Sequence, residues 1–229
     1  MAISPRTGPS AWEVRWERGS AATFHGRPLP SEPVRSVQVL EVDRPALVLG
    51  STQPESDADP AALALAGVEL VWRHSGGGAV LLEPGAVLWV DVVLPRGDPL
   101  WSNDVGVAFH WLGRAWVGAL GELGITADVH EGPLGRTRWS RLVCFAGLGP
   151  GEVTVGVAKV VGIAQRRTRD GARFQCALLH RWEPGATLSL LSLDAADRTR
   201  AAADLAVAAA GIDQPAATLV EALVRHLPR

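Results

Sequence analysis

Of the 22 lysine and arginine side chains in this chain, one is a lysine, Lys159, set in the strand-like run Val157–Gln165. A guanidinium is a broad, permanently charged fork, whereas an ammonium is a compact point charge whose three donors converge on a small group of oxygens. Arginine substitutes for lysine on a solvated face but not where a small cation must touch a carbonyl or phosphoryl oxygen. A sole lysine in an arginine-rich chain is therefore a candidate for chemistry. The alternative is a residue that lays its stem along Val157 and Val161 and exposes its charge.

A second candidate is the segment Arg73-His74-Ser75-Gly76-Gly77-Gly78-Ala79-Val80, which follows the apolar run Val68–Arg73. Three successive glycines remove every Cβ and permit positive φ, so the backbone can approach a ligand and turn consecutive N–H groups toward an anion. Arg73 adds a bidentate donor for carboxylate or phosphate, and Ser75 adds a hydroxyl. The segment lacks both the GK[ST] of a P-loop and the GxGxxG of a dinucleotide site. Taken alone, it could be a flexible turn. With Lys159 it supplies a backbone cradle plus a mobile positive charge, which suits an acidic or activated-acyl ligand. Cys144, flanked by apolar residues in the run Arg141–Ala146, reads by itself as a buried strand cysteine. Cys176 reads as core.

The elements that must position these groups follow from periodicity. Residues 1–35 are rich in proline, glycine and charge and read as an irregular lead-in, with one strand near Trp12–Trp16. Strands are predicted at Val37–Val42, Ala46–Gly50, Val68–Arg73 and Ala86–Leu94, with a short helix from Asp59-Pro60 to Ala66. Apolar residues from Val105 to Leu123 recur at helical spacing, giving a helix from about Ser102 to Gly121, capped by Ser102 or Asp104 and stopped by Gly124. The second half reads as antiparallel strands Arg141–Ala146, Glu152–Val155, Val157–Arg167 and Arg173–Trp182, the last two joined by a hairpin across Asp170-Gly171. Two helices close the chain, one from Asp194 to Gly211 and one from Asp213 and Pro215 to the residues before Pro228. The expected organisation is a lead-in over 1–35, a catalytic domain over 36–193, and a helical pair over 194–229 packed on that domain.

Composition removes several classes of function. A net charge of −2 gives no electrostatic case for nucleic acid or an anionic membrane. No run reaches the roughly 18 apolar residues of a membrane span and the first twenty residues hold no signal-like apolar core, so a soluble, cytoplasmic protein is expected. Two cysteines and six histidines show no metal-ligand spacing, and no metal site is assigned. Asp91, inside an apolar strand, either holds magnesium or accepts a capping hydrogen bond. Arg166, Arg167 and Arg169 read as a solvated face beside the hairpin turn.

RHSGGGAV resembles the RRxSGGGAV loop of the lipoate–protein ligase A and octanoyltransferase superfamily, and AKVVGIAQRRTRDG resembles its KxxGxAQRR segment, which begins with the catalytic lysine. Val48–Gln53 is similar to the VLGxxQ element that precedes the loop. The resemblance spans about residues 37–182 in order and spacing. It implies an α+β fold of the biotin/lipoate-ligase type, a mixed, mainly antiparallel sheet flanked by helices. It implies Lys159 as the catalytic cation, Arg73, Ser75, Gly76, Gly77, Gly78 and Ala79 as the acyl loop, and Gly162 and Gln165 as further lining. Trp72, Trp89 and Val90 are candidate walls of an apolar slot.

The chain departs from that pattern at Trp72, at Leu81-Leu82-Glu83, and at Gly85–Leu88, where the family's GNxN asparagines are absent. The leading expectation is a lipoate–protein ligase that forms an acyl-adenylate with ATP and Mg2+ and passes lipoyl or octanoyl to a lysine. The acceptor would be a lipoyl domain of 2-oxoacid dehydrogenase complexes or the glycine-cleavage H protein. The alternative is an octanoyltransferase that needs no cofactor and uses Cys144, because Val143-Cys144-Phe145 resembles the CF element at this spacing in cysteine-dependent relatives. A third reading is a non-catalytic acyl-binding protein. The GRGRxGRxW loop of biotin ligases is missing.

Overall fold

In the computed structural model, which describes residues 12–229, alternating apolar runs become two sheets with helices outside both. The elements are β1 Glu13–Gly19, α1 Ala21–Gly26, β2 Ser36–Val42, β3 Ala46–Leu49, α2 Pro60–Ala66, β4 Glu69–Trp72, β5 Val80–Leu82 and β6 Val87–Pro95. There follow α3 His110–Glu122, β7 Asp128–Val129, β8 Val153–Val155, β9 Ala158–Arg167, β10 Gly171–Leu179, α4 Pro184–Leu188, α5 Ala195–Leu205 and α6 Ala216–His226. The large sheet runs β1-β2-β6-β10-β9-β8-β7 and is antiparallel except for the β1–β2 pair. The small sheet runs β4-β3-β5. This is the mixed, mainly antiparallel α+β architecture expected.

Strands buried on both faces explain the continuous apolar runs of β3 and β6. One face of the large sheet packs Val90, Val92, Ile163, Phe174 and Leu178 against Leu112, Trp116 and Leu120 of α3 and Leu219 and Leu223 of α6. The other face meets the small sheet through Phe24, Leu40, Val48, Leu82 and Trp89. Outside the small sheet, Leu47 and Leu49 pack with Leu63 of α2, Leu188 of α4 and Leu205 of α5. Between the two sheets the facing side chains leave a cavity.

Several expectations are corrected. The lead-in carries β1 and α1, the latter capped by Ser20, whose Oγ accepts from the Thr23 N–H; its first eleven residues lie outside those described. The α3 helix begins at His110 rather than Ser102, because Asp104 spends its side chain on the Gly106 N–H in a local turn instead of capping the helix. Gly124, at φ +77°, stops that helix as expected. Residues 141–146 are not a strand but a bridge at Val143 followed by a 3-10 turn over Cys144–Ala146. The α5 helix ends six residues before Gly211, because residues after Leu205 leave it to pair with β9: the Lys159 N–H donates to Ala208 O and the Ala210 N–H to Lys159 O.

Candidate active site

The glycine segment, the turn at Cys144 and the start of β9 meet at a cavity of about 870 Å³ between the sheets, within the ~300–1,000 Å³ of small-molecule pockets. Lys159, Cys144, Arg73, Ser75, Gly76, Gly77, Gly78, Gly162 and Gln165 all line it. Ala79 does not: it lies behind the loop, where its N–H donates to Leu142 O and its carbonyl accepts from the Cys144 N–H, both at 2.8 Å. Ala79 thereby ties the loop to the cysteine. Of the candidate walls only Trp89 faces the cavity; Val90 points into the opposite core, and Trp72 is half-exposed on β4.

Lys159 is 3% exposed, so it is not a surface residue with a snorkelling charge. Its Nζ lies 2.7 Å from Glu152 Oε2 and donates to Cys144 O at 3.2 Å and Gly147 O at 3.1 Å, with the Phe145 ring 4.9 Å away. The three donors of the ammonium are thus all engaged, and Glu152 supplies its buried counter-charge. Glu152 also accepts from the N–H groups of Gly149 and Ile163, which fixes its orientation. Sequence reading passed over Glu152 as the first residue of a strand; the signal was a carboxylate seven residues before the sole lysine. Gly162 leaves room for this pair, since a Cβ there would meet Lys159 Cε at 3.2 Å and Glu152 Oε1 at 3.6 Å.

Arg73 serves the loop rather than a free anion. Its guanidinium donates to Gly76 O and Gly78 O at 2.8 Å and to Val48 O at 3.3 Å, so its donors are spent on carbonyls. Ser75 O accepts from the Ser51 N–H. With the loop carbonyls drawn toward the protein, the N–H groups of His74, Ser75, Gly76, Gly77 and Gly78 have no acceptor among the described residues. Of these residues, Ser75 to Gly78 line the cavity, and a row of unpaired amides there is a ready site for an oxyanion.

Two polar groups mark the β6 side. Asp91, fully buried, accepts from Trp89 Nε1 at 2.7 Å and lies 3.5 Å from Arg173 Nε, so its hydrogen bond holds an indole of its own strand rather than a loop. Burial raises its pKa to about 6 against the pull of Arg173. Arg173 in turn donates to Arg27 O and Pro28 O, pinning the segment after α1 to the sheet. The α1 helix just before it delivers His25, which also lines the cavity and which the sequence hid inside an apparently irregular lead-in.

Burial, with added repulsion from Arg73, His74 and Arg173, lowers the pKa of His25 from 6.5 to about 3. Between those values the unfolded chain binds the proton and the folded chain does not, so stability present above pH 6.5 is lost as the pH falls toward 3, by up to about 1.4 kcal/mol per unit. Urea unfolding at pH 7 and pH 5 is expected to show a loss in the wild type that His25→Phe removes. Asp91 contributes the opposite trend below pH 6 in both proteins and cancels from the difference. Cys176, buried in the core, has its thiol pKa pushed up to about 12 by burial, which leaves it inert.

The model of the lipoyl protein ligase A/B catalytic domain matches residues 29–222. The chain belongs to that family. A curated relative, the octanoyltransferase LipM of Moorella thermoacetica, is 32% identical over 125 residues, 54% of this chain and 45% of that protein. The match thus spans less than half the length of that relative. Among solved structures, a bi-partite lipoate protein ligase from Thermoplasma acidophilum, studied with its E2 lipoyl domain, superposes with a TM-score of 0.72 at 18% identity, covering 94% of this chain and 82% of its own. A lipoate-protein ligase A bound with ATP gives 0.67 at 18% identity, over 95% and 84%. At such identities these structures speak for the fold of this family member alone.

Gly85–Leu88 contributes only aliphatic side chains, and none of the four lines the cavity. No cluster of metal-ligating side chains occurs among the described residues, and no described helix is long and apolar enough to cross a membrane.

Proposed function

We propose that the chain is a protein acyltransferase that moves an octanoyl or lipoyl group from a carrier-protein thioester, through Cys144, to a lysine of an acceptor lipoyl domain. The observation that carries this reading is the Cys144 turn lining the same cavity as Lys159 and the unpaired loop amides. The Cys144 thiolate attacks the thioester carbonyl, the carrier thiolate departs, and the acyl group remains on Sγ. A neutral acceptor amine then attacks that carbonyl, the C–N bond forms, the C–S bond breaks, and the amine proton passes to the departing sulfur. Both steps place negative charge on one carbonyl oxygen, which the loop amides and Lys159 stabilise. Lys159 reaches that oxygen by releasing Cys144 O or Gly147 O and keeps Glu152 as counter-charge. A thioester is neutral, so a cation already balanced by Glu152 suffices to receive it. About six buried methylenes contribute on the order of 5 kcal/mol of binding.

A ligase reading, with ATP and Mg2+ activating lipoate or octanoate, is favoured by Arg136 and Arg141, two exposed guanidinium residues that line the cavity and suit phosphate. One assay separates the two. The protein is incubated with a lipoyl domain and either octanoyl-carrier protein alone or lipoate, ATP and magnesium, and the acceptor mass is read. Modification from the thioester alone is expected. Modification only with nucleotide replaces this reading by the ligase, and none in either arm leaves an acyl-binding protein. Cys144→Ser is expected to lower thioester-driven transfer by about 10³-fold or more, and full activity in that variant rules out the acyl-enzyme.

A further inference from the structure

We propose that His25 reads the far end of the acyl chain and selects acyl groups that carry a hydrogen-bonding heteroatom there over plain saturated ones. This rests on the reading that the cavity holds an acyl chain with its carbonyl at Lys159, and it is independent of how that carbonyl is activated. Gly162 of β9, Ala177 of β10 and Trp89 of β6 stand directly opposite one another across the sheet. Opposed residues share a face, so a hydrogen, a methyl and an indole follow in a row, and all three residues line the cavity. At the Gly162 end, a Cβ would lie 3.5 Å from Lys159 Nζ. Two strand spacings of ~4.8 Å separate Gly162 from Trp89, roughly 10 Å. Seven bonds of an eight-carbon chain advance about 8 Å at ~1.2 Å each, as in an extended backbone. A chain whose head is at Lys159 therefore ends at Trp89.

What waits there is the His25 ring, 4.4 Å from the Trp89 ring and inclined by 30°. His25 is 7% exposed, and neither ring nitrogen bonds to any described residue, although the residue lines the cavity. A neutral imidazole offers one N–H donor and one acceptor. Arg73 gives its donors to the carbonyls of Val48, Gly76 and Gly78, and Trp89 gives its N–H to Asp91. Val80 and Leu82 are apolar. A terminal methyl leaves the buried imidazole unpaired, whereas a dithiolane sulfur or a hydroxyl near carbon eight satisfies it.

The test is calorimetric binding of three carboxamides, octanamide, 8-hydroxyoctanamide and lipoamide, to the full chain and to His25→Phe and His25→Gln. The wild type is expected to bind lipoamide and 8-hydroxyoctanamide about tenfold more tightly than octanamide, the equivalent of one net hydrogen bond. His25→Phe should lose that preference while still binding octanamide, and His25→Gln, which keeps a donor, should retain part of it. Equal affinities in the wild type, or an unchanged preference in His25→Phe, overturn the role of His25 and leave the acyl site standing. If none of the three amides binds, the acyl-site reading falls with it.

Discussion

Lys159→Ala is expected to lower acyl transfer by about 10²–10³-fold, the usual effect of removing one donor from a developing oxyanion. It is also expected to destabilise the fold by about 3–5 kcal/mol, because Glu152 would remain buried without its ammonium. The two effects are separable. The double variant Lys159→Met, Glu152→Gln removes both charges and keeps similar volumes, so its urea midpoint should recover most of the lost stability while its transfer rate stays low. Acceptor mass spectrometry reads the rate, and unfolding curves read the stability. Recovery of both in the double variant would reduce Lys159 to a structural role, and retention of full activity in Lys159→Ala would remove it from the chemistry.

Gly78→Ala is expected to disrupt both fold and site. A Cβ on Gly78 would stand 2.5 Å from Val143 N and 2.6 Å from Val143 C, and that backbone cannot withdraw cheaply because the Ala79–Leu142 and Cys144–Ala79 hydrogen bonds hold it. Overpacking of this kind costs about 1–3 kcal/mol or more, and relief by sliding residues 142–144 would carry Cys144 away from the loop amides. Gly76, by contrast, has no heavy atom within 4 Å of a built Cβ, so Gly76→Ala should leave the unfolding midpoint within about 0.5 kcal/mol of the wild type. Equal stability of the two variants would show that the loop does not pack on Val143 as described.

The core of this arrangement was legible in one dimension because its signals are local. Three glycines in succession mark a close backbone approach, the sole lysine marks a position where a guanidinium does not serve, and the apolar runs of β2, β6, β9 and β10 mark the sheet that carries them. The hairpin at Asp170-Gly171 and the caps at Asp59 and Asp194 are equally local, and they stand where read. Local signals misled where a residue had two ways to satisfy its hydrogen bonds. Asp104 closed a turn instead of capping α3, and the alanine-rich stretch after Leu205 gave up helical bonds to pair with Lys159.

The amino-acid sequence by itself determined which groups could do chemistry and their order along the chain: an ammonium, a thiol and a side-chain-free loop. Only the tertiary structure decided how each is used. It paired Lys159 with Glu152, turned Arg73 inward onto loop carbonyls so that the loop amides stay unpaired, brought the Cys144 turn to the same cavity, and carried His25 to the Trp89 end. The reason is physical. A residue's type fixes what bonds it can make, but burial and the competing partners supplied by distant strands fix which of those bonds remain for a ligand.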